Sequence, residues 1–173
     1  MIAGDLLGER ARLTPDKVAL ILAGSRERFT YAELNERAIR CAALFRNLSI
    51  RQGERIGILA HNRIEFVDAF FAAGKAGVIL VPLNTRLTAH ELEYIIRDSG
   101  IRSLLYDGEL ADTVSKLRDK VEVEHWVALD PPIHASDISY SAALSQEAEF
   151  RPVRSEPEDI YCLLYTSGTT GKP

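Results

Sequence analysis

The sequence predicts an α/β protein: a layered, largely parallel sheet with helices on both faces, preceded by a small N-terminal hairpin. Three observations lead there. Residues 56–60, 78–81, 103–106 and 126–129 are short apolar runs, of the kind found in parallel strands covered on both sides. Helical patterns separate them, which is the rhythm of strands joined by right-handed crossovers. Ahead of them, residues 18–22 and 28–30 flank Gly24 and Ser25, the layout of a hairpin.

Three helices are predicted to start on one plan, a capping box in which an acceptor at the N-cap is answered by Glu three residues later. The pairs are Thr30 with Glu33, Asn62 with Glu65 and Thr88 with Glu91. Phe29 with Leu34 and Leu87 with Leu92 add the spacing of a hydrophobic staple around two of these caps. After Thr30, Leu34, Ala38, Ala42, Phe45 and Leu48 recur at helical spacing and define one apolar face. After Asn62, the helix carries Phe66, Val67, Phe70, Phe71 and Ala73 with few charges, so deeper burial is expected, and Gly77 suits a left-handed stop. After Thr88, Leu92, Ile95 and Ile96 form the apolar stripe and Gly100 closes it. A short helix is expected over 138–144, loops at Pro131, Pro132 and 151–159, and a last strand over 160–165.

The 173 residues make about one ordinary domain, and 46% hydrophobic with 27% charged residues is a globular composition. With 21 basic against 25 acidic residues the formal charge is -4. That balance lacks the long-range attraction by which nucleic acid or an anionic membrane is usually drawn in. Any phosphate would have to be bound locally. Cys41 and Cys162 have neither metal nor redox spacing and read as buried thiols. Asp5, Glu9, Arg10 and Arg12 interrupt what would be a secretory signal, and Asp68, Lys75, Gly74 and Gly77 break the most apolar stretch, 66–83. No transmembrane segment and a cytoplasmic location are expected. His61, His90, His125 and His134 share no metal spacing and read as surface or capping residues. Lys75 and Arg86 read as solvated charges near element ends, and Trp126 as a strand residue filling the core.

Chemistry concentrates at residues 165–173, "YTSGTTGKP". Gly168 and Gly171 let the backbone turn its N–H groups toward an anion without Cβ clashes. Thr166, Ser167, Thr169 and Thr170 add hydroxyls, and Lys172 adds a full positive charge. The composition suits a polyphosphate. The stretch is not a Walker A loop: the required first glycine falls on Thr166, and Pro173 stands where a hydroxyl residue for Mg²⁺ would follow the lysine. Pro173 also disfavours helical backbone at Lys172. Nor is it a nucleophile elbow, since Tyr165 lies two residues before Ser167.

"YTSGTTGKP" resembles the phosphate-binding signature of the adenylate-forming enzymes, the superfamily of AMP-forming acyl-CoA synthetases, luciferase and peptide-synthetase adenylation domains. "FTYAELNERA" resembles that family's first N-terminal helix entry, and "GKAGVILVPLNTRLTAHELEYIIRDSG" its proline-ended buried strand and following helix. "VPLNTRL" at 81–87 resembles the acyl- and aryl-CoA ligases more than the peptide-synthetase domains. The resemblance implies an ATP-dependent acid:CoA ligase, in which a carboxylate attacks ATP to give an acyl adenylate and CoA then displaces AMP. ATP and Mg are the implied cofactors, CoA the co-substrate and a fatty or aryl acid the substrate. Thr166, Ser167, Gly168, Thr169, Thr170, Gly171 and Lys172 are the implied holders of the β- and γ-phosphates.

The resemblance also implies that residues 1–173 are the N-terminal portion of the AMP-binding domain. The rest of that domain and a C-terminal lid domain, with the adenine site, acyl pocket and catalytic lysine, would be absent. On that expectation the chain by itself does not adenylate, and it exposes apolar surface through which it can self-associate. Ordering six loop residues costs on the order of 6 to 12 kcal/mol, and about four charge-assisted hydrogen bonds return a similar sum, so ATP binding by the chain alone is expected to be weak. An amino-acid adenylation domain and a non-catalytic binding module are the alternatives.

Overall fold

The computed structural model describes residues 5–166. Its helices are α1 (Leu6–Leu13), α2 (Tyr31–Asn47), α3 (Ile64–Ala76), α4 (Ala89–Ser99), α5 (Ala111–Leu117) and α6 (Tyr140–Leu144). Its strands are β1 (Val18–Ile21), β2 (Arg28–Thr30), β3 (Arg55–Leu59), β4 (Ile79–Pro82), β5 (Ser103–Tyr106), β6 (His125–Ala128) and β7 (Ile138–Ser139). β1 and β2 form the expected antiparallel hairpin. The other five form one parallel sheet in the order β4-β3-β5-β6-β7.

That order fixes where the helices lie. The chain moves outward from β3 to β4, then crosses back over β3 to β5 and continues to β6 and β7. Right-handed crossovers put helices on opposite faces when the direction of travel reverses. α2, α3 and α6 accordingly pack with Ile56, Ile58, Leu80, Leu105 and Val127 in one core layer. α4 and α5 pack with Leu59, Val81, Leu104, Tyr106 and Trp126 in the other. Trp126 fills core, as expected. A third, smaller cluster of Leu7, Phe29, Leu34 and Ala38 joins α1 and the hairpin to α2.

The capping boxes at Thr30 and Thr88 form as predicted: each hydroxyl accepts from its Glu N–H while the Glu side chain accepts from the cap N–H. Gly77 and Gly100, at φ of 64° and 66°, stop α3 and α4 in the left-handed conformation. The third predicted box does not form. α3 is capped at Arg63, with no side-chain cap bond, because Glu65 accepts instead from Arg63 Nε at 2.7 Å. An ion pair has displaced the cap.

Three further expectations are corrected. The strand expected over 160–165 is a single parallel bridge of Cys162 with Leu80 at the edge of the sheet, and Cys162 is half-buried where full burial was expected. The helix expected over 138–144 divides into β7 and α6, since Ser139 caps α6 by accepting from the Ala142 N–H. Lys75, expected to be solvated, is 1% exposed. Its ammonium donates to Asp5 and Asn35, so a buried pair stands where the sequence suggested a free charge.

Candidate functional site

In open parallel sheets, ligands favour the crevice where strand order reverses. Here that point lies between β3 and β5, and an open cleft of about 530 Å³ is found there, lined by His61, Asn62, Arg63, Asp107, Gly108, Glu109 and Asp130. The residues come from the ends of β3, β5 and β6. Arg63 donates to Asp130 through two nitrogens at 2.7 and 3.2 Å and lies 3.5 Å from Asp107. Asp130 also accepts from the Gly108 N–H at 2.9 Å. His61 places its Nδ1 3.1 Å and its backbone N–H 3.3 Å from Asp107 Oδ2.

This network is closed on itself. The Arg63 hydrogen bond holds the Asp130 carboxyl below its ordinary range against some desolvation. Burial opposes the charge on Arg63, but its hydrogen bonds to Asp130 and Glu65 raise its pKa nonetheless. Arg63, Asp107 and Asp130 already have partners, while the Glu109 carboxylate is exposed and lies 3.7 Å from the His61 ring. The crevice therefore binds the ends of three strands together, and offers few uncommitted donors to an anion.

The predicted phosphate loop roots elsewhere, on the outer edge of β4. Leu80 donates to the Tyr161 carbonyl at 3.1 Å and accepts from the Leu163 N–H at 2.9 Å. Tyr161 donates to the Phe70 carbonyl at 2.6 Å, and Tyr165 donates to Asp98 Oδ2 at 2.5 Å. Thr166 is exposed. Ser167, Gly168, Thr169, Thr170, Gly171 and Lys172 lie outside the described residues. One of the seven predicted binding residues is therefore placed, and it is accessible.

Among the described residues no group of three or more His, Cys, Asp or Glu side chains is arranged to hold a metal ion. His90, His134 and Arg86 are exposed, and His61 is tied to Asp107. No described helix is long and apolar enough to cross a membrane. The Arg63–Asp130 and Tyr165–Asp98 pairs were missed by sequence reasoning, since their members are 67 residues apart in each case. The one local signal was Asp107 before Gly108, a turn-starting pair, whose carboxylate does accept from the Glu109 N–H.

The chain matches the family model of the AMP-binding enzymes over residues 7–173. It belongs to that family. It is 34% identical to the long-chain-fatty-acid–CoA ligase FadD13 of Mycobacterium tuberculosis, over 98% of this chain and 33% of the relative. It is 35% identical to a long-chain-fatty-acid–CoA ligase of Thermus thermophilus, over 90% of this chain and 29% of the relative. Among solved structures, the anthranilate CoA ligase AuaEII in complex with anthranoyl-AMP superposes with a TM-score of 0.92 at 29% identity, covering all of this chain and 33% of that one. The N-terminal domain of FACL13 from Mycobacterium tuberculosis gives 0.86 at 31% identity, over 96% and 42%. The chain thus spans about a third of the length of the curated relatives it matches.

Proposed function

We propose that this chain is the N-terminal part of an ATP-dependent, AMP-forming carboxylic acid:CoA ligase, and that Thr166, Ser167, Gly168, Thr169, Thr170, Gly171 and Lys172 hold the β- and γ-phosphates of ATP. The observation that carries this reading is the signature at 165–173 within a chain matched by the AMP-binding family from residue 7 onward. Relatives named as ligases of long-chain fatty acids, of 3-oxocholest-4-en-26-oate and of ferulate support a fatty or aryl acid as substrate and CoA as thiol acceptor. When bound, ATP would supply the adenylyl group that activates the carboxylate, with pyrophosphate as the leaving group, and Mg²⁺ would accompany its phosphates. The loop's task is to hold the departing pyrophosphate by backbone N–H groups, hydroxyls and the Lys172 ammonium. Two free cysteines fit a reducing, cytoplasmic setting.

The test is ATP–pyrophosphate exchange by the complete enzyme against a panel of fatty, aryl and amino acids. Exchange with a fatty or aryl acid, falling roughly 10²-fold in Lys172→Ala, is the expected result. Exchange with amino acids alone would assign the chain to the peptide-synthetase branch. The 173-residue chain by itself is expected to give no exchange.

A further inference from the structure

The last point at which the described chain is fixed before the loop is a side chain. Leu163 donates to the Leu80 carbonyl, and beyond it Leu164, Tyr165 and Thr166 make no backbone hydrogen bond to any described residue. Tyr165 takes over. Its ring packs with Leu163 against the α4 and α5 core layer, and its hydroxyl reaches Asp98 Oδ2 at 2.5 Å in the last turn of α4. By contrast, Leu164 beside it is 68% exposed. Burial and the neighbouring Asp98 carboxylate push the phenol up to about 12, so it stays a proton donor at neutral pH and the bond is charge-assisted.

We propose that Tyr165 and Asp98 form the anchor that sets where the phosphate loop leaves the sheet, making both positioning residues for ATP binding. This rests on the reading of the loop given above. The bridge at Cys162 fixes the chain only up to residue 163, and residues 164–166 make no backbone hydrogen bond to any described residue. With the anchor, the last fixed point moves from Leu163 to Tyr165, next to Thr166. Chain that is already held in place has less conformational entropy to lose when a ligand binds beside it. The geometry of the chain behind the anchor contributes to affinity and little to the chemical step, because neither side chain adds a donor to the phosphates.

The test uses the complete enzyme, with Mg·ATP and its preferred acid, and the variants Tyr165→Phe, Asp98→Ala, Asp98→Asn and Lys172→Ala. Tyr165→Phe and Asp98→Ala are each expected to raise the KM for ATP about fivefold with kcat changed less than about twofold. Asp98→Asn, which keeps an acceptor, should fall between Asp98→Ala and wild type. The Tyr165→Phe/Asp98→Ala double variant should be no worse than either single one. Amide hydrogen exchange at Leu163 and Leu80, the bonded amides immediately behind the anchor, should quicken about fivefold in both single variants, in the absence of ATP. Unchanged exchange in Tyr165→Phe overturns the anchor, whatever the kinetics. Additive losses in the double variant overturn it as well. An unchanged kcat/KM for ATP in Lys172→Ala instead removes the phosphate role of Lys172, and the exchange result still decides whether Tyr165 and Asp98 anchor the chain.

Discussion

Lys75, in the last turn of α3, donates to Asp5 Oδ1 at 2.5 Å with its ammonium almost wholly removed from water. The same oxygen caps α1 by accepting from the Gly8 N–H at 3.0 Å, and Asn35 of α2 accepts the second ammonium proton at 2.6 Å. One lysine thus joins three helices. Removing one partner of a buried pair strands a charge, whereas replacing both by apolar groups of similar volume does not. Asp5→Ala is expected to cost about 3 kcal/mol in urea unfolding, and the Asp5→Leu/Lys75→Met double variant to recover most of it. Equal losses in the two would show that the ammonium has another way to be satisfied.

The caps give a sharper contrast. Thr30→Ala and Thr88→Ala each remove a formed capping box and should cost about 1 kcal/mol. Asn62→Ala removes the residue that the same sequence pattern singles out, yet α3 begins at Arg63 without a side-chain cap. Its effect should stay within about 0.5 kcal/mol. Thermal melting of the three variants decides the matter, and a loss at Asn62 equal to that at Thr88 would restore the third capping box.

Why two boxes were legible and the third was not is instructive about the rest of the molecule. Thr30, Glu33, Thr88 and Glu91 have local alternatives only in water, so a local pattern suffices. Glu65 has a competitor, Arg63, which is itself recruited by Asp107 and Asp130 from the loops that follow two other strands. Apolar periodicity likewise found β3, β4, β5 and β6 to within a residue or so, because burial on both faces writes an unbroken apolar run. It overcalled 160–165, an equally apolar run that meets the sheet through one bridge at its edge. Ile160 and Leu164 are 62% and 68% exposed, so apolar character there is not matched by burial in this chain. Lys75 was misjudged for the converse reason, since a charge is legible as buried only through partners that lie 40 and 70 residues away. The loop chemistry was legible as composition and order, but its attachment through Tyr165 to Asp98 was not.

A buried carboxylate clamps the other core layer. Asp68, 1% exposed, accepts two bonds from Arg37 at 2.9 and 2.6 Å and one from the Tyr140 hydroxyl at 3.0 Å, tying α3 to α2 and α6. Burial raises the Asp68 pKa above the ordinary value, and the Arg37 and Tyr140 bonds only partly pull it back. Arg37→Met should cost about 3 kcal/mol near neutral pH, and Tyr140→Phe about 1.5. A group whose folded pKa is raised favours folding on the acid side, and that contribution is lost as pH rises through the folded value. The Arg37→Met loss should therefore be smaller at about pH 4.5 than at about pH 7.5, as protonation relieves the stranded carboxylate. Denaturant titrations at the two pH values read this directly, and a loss independent of pH would mean that Asp68 is already neutral in the wild type.

Asp130 titrates with the opposite sign. Its carboxyl is held below the ordinary value chiefly by the Arg63 hydrogen bond, so its contribution is fully present above the unfolded value, about 3.9, and disappears as pH falls through the folded one. Because the Asp130 side chain is 38% exposed, solvent screens the pair and the contribution should be below about 1 kcal/mol. The stability difference between wild type and Asp130→Asn is expected to be constant from about pH 5 to about pH 8, and to shrink below about pH 4. Urea midpoints across that range measure it. Loss of the Gly108 and Arg63 bonds at low pH should loosen the ends of β3, β5 and β6 together, so the protection factor of the Gly108 amide, its rate relative to an unstructured amide at the same pH, should fall over the same interval. If the Gly108 protection factor stays high down to about pH 3 while the stability difference vanishes, the coupling runs through Arg63 and Asp107 instead of through Asp130.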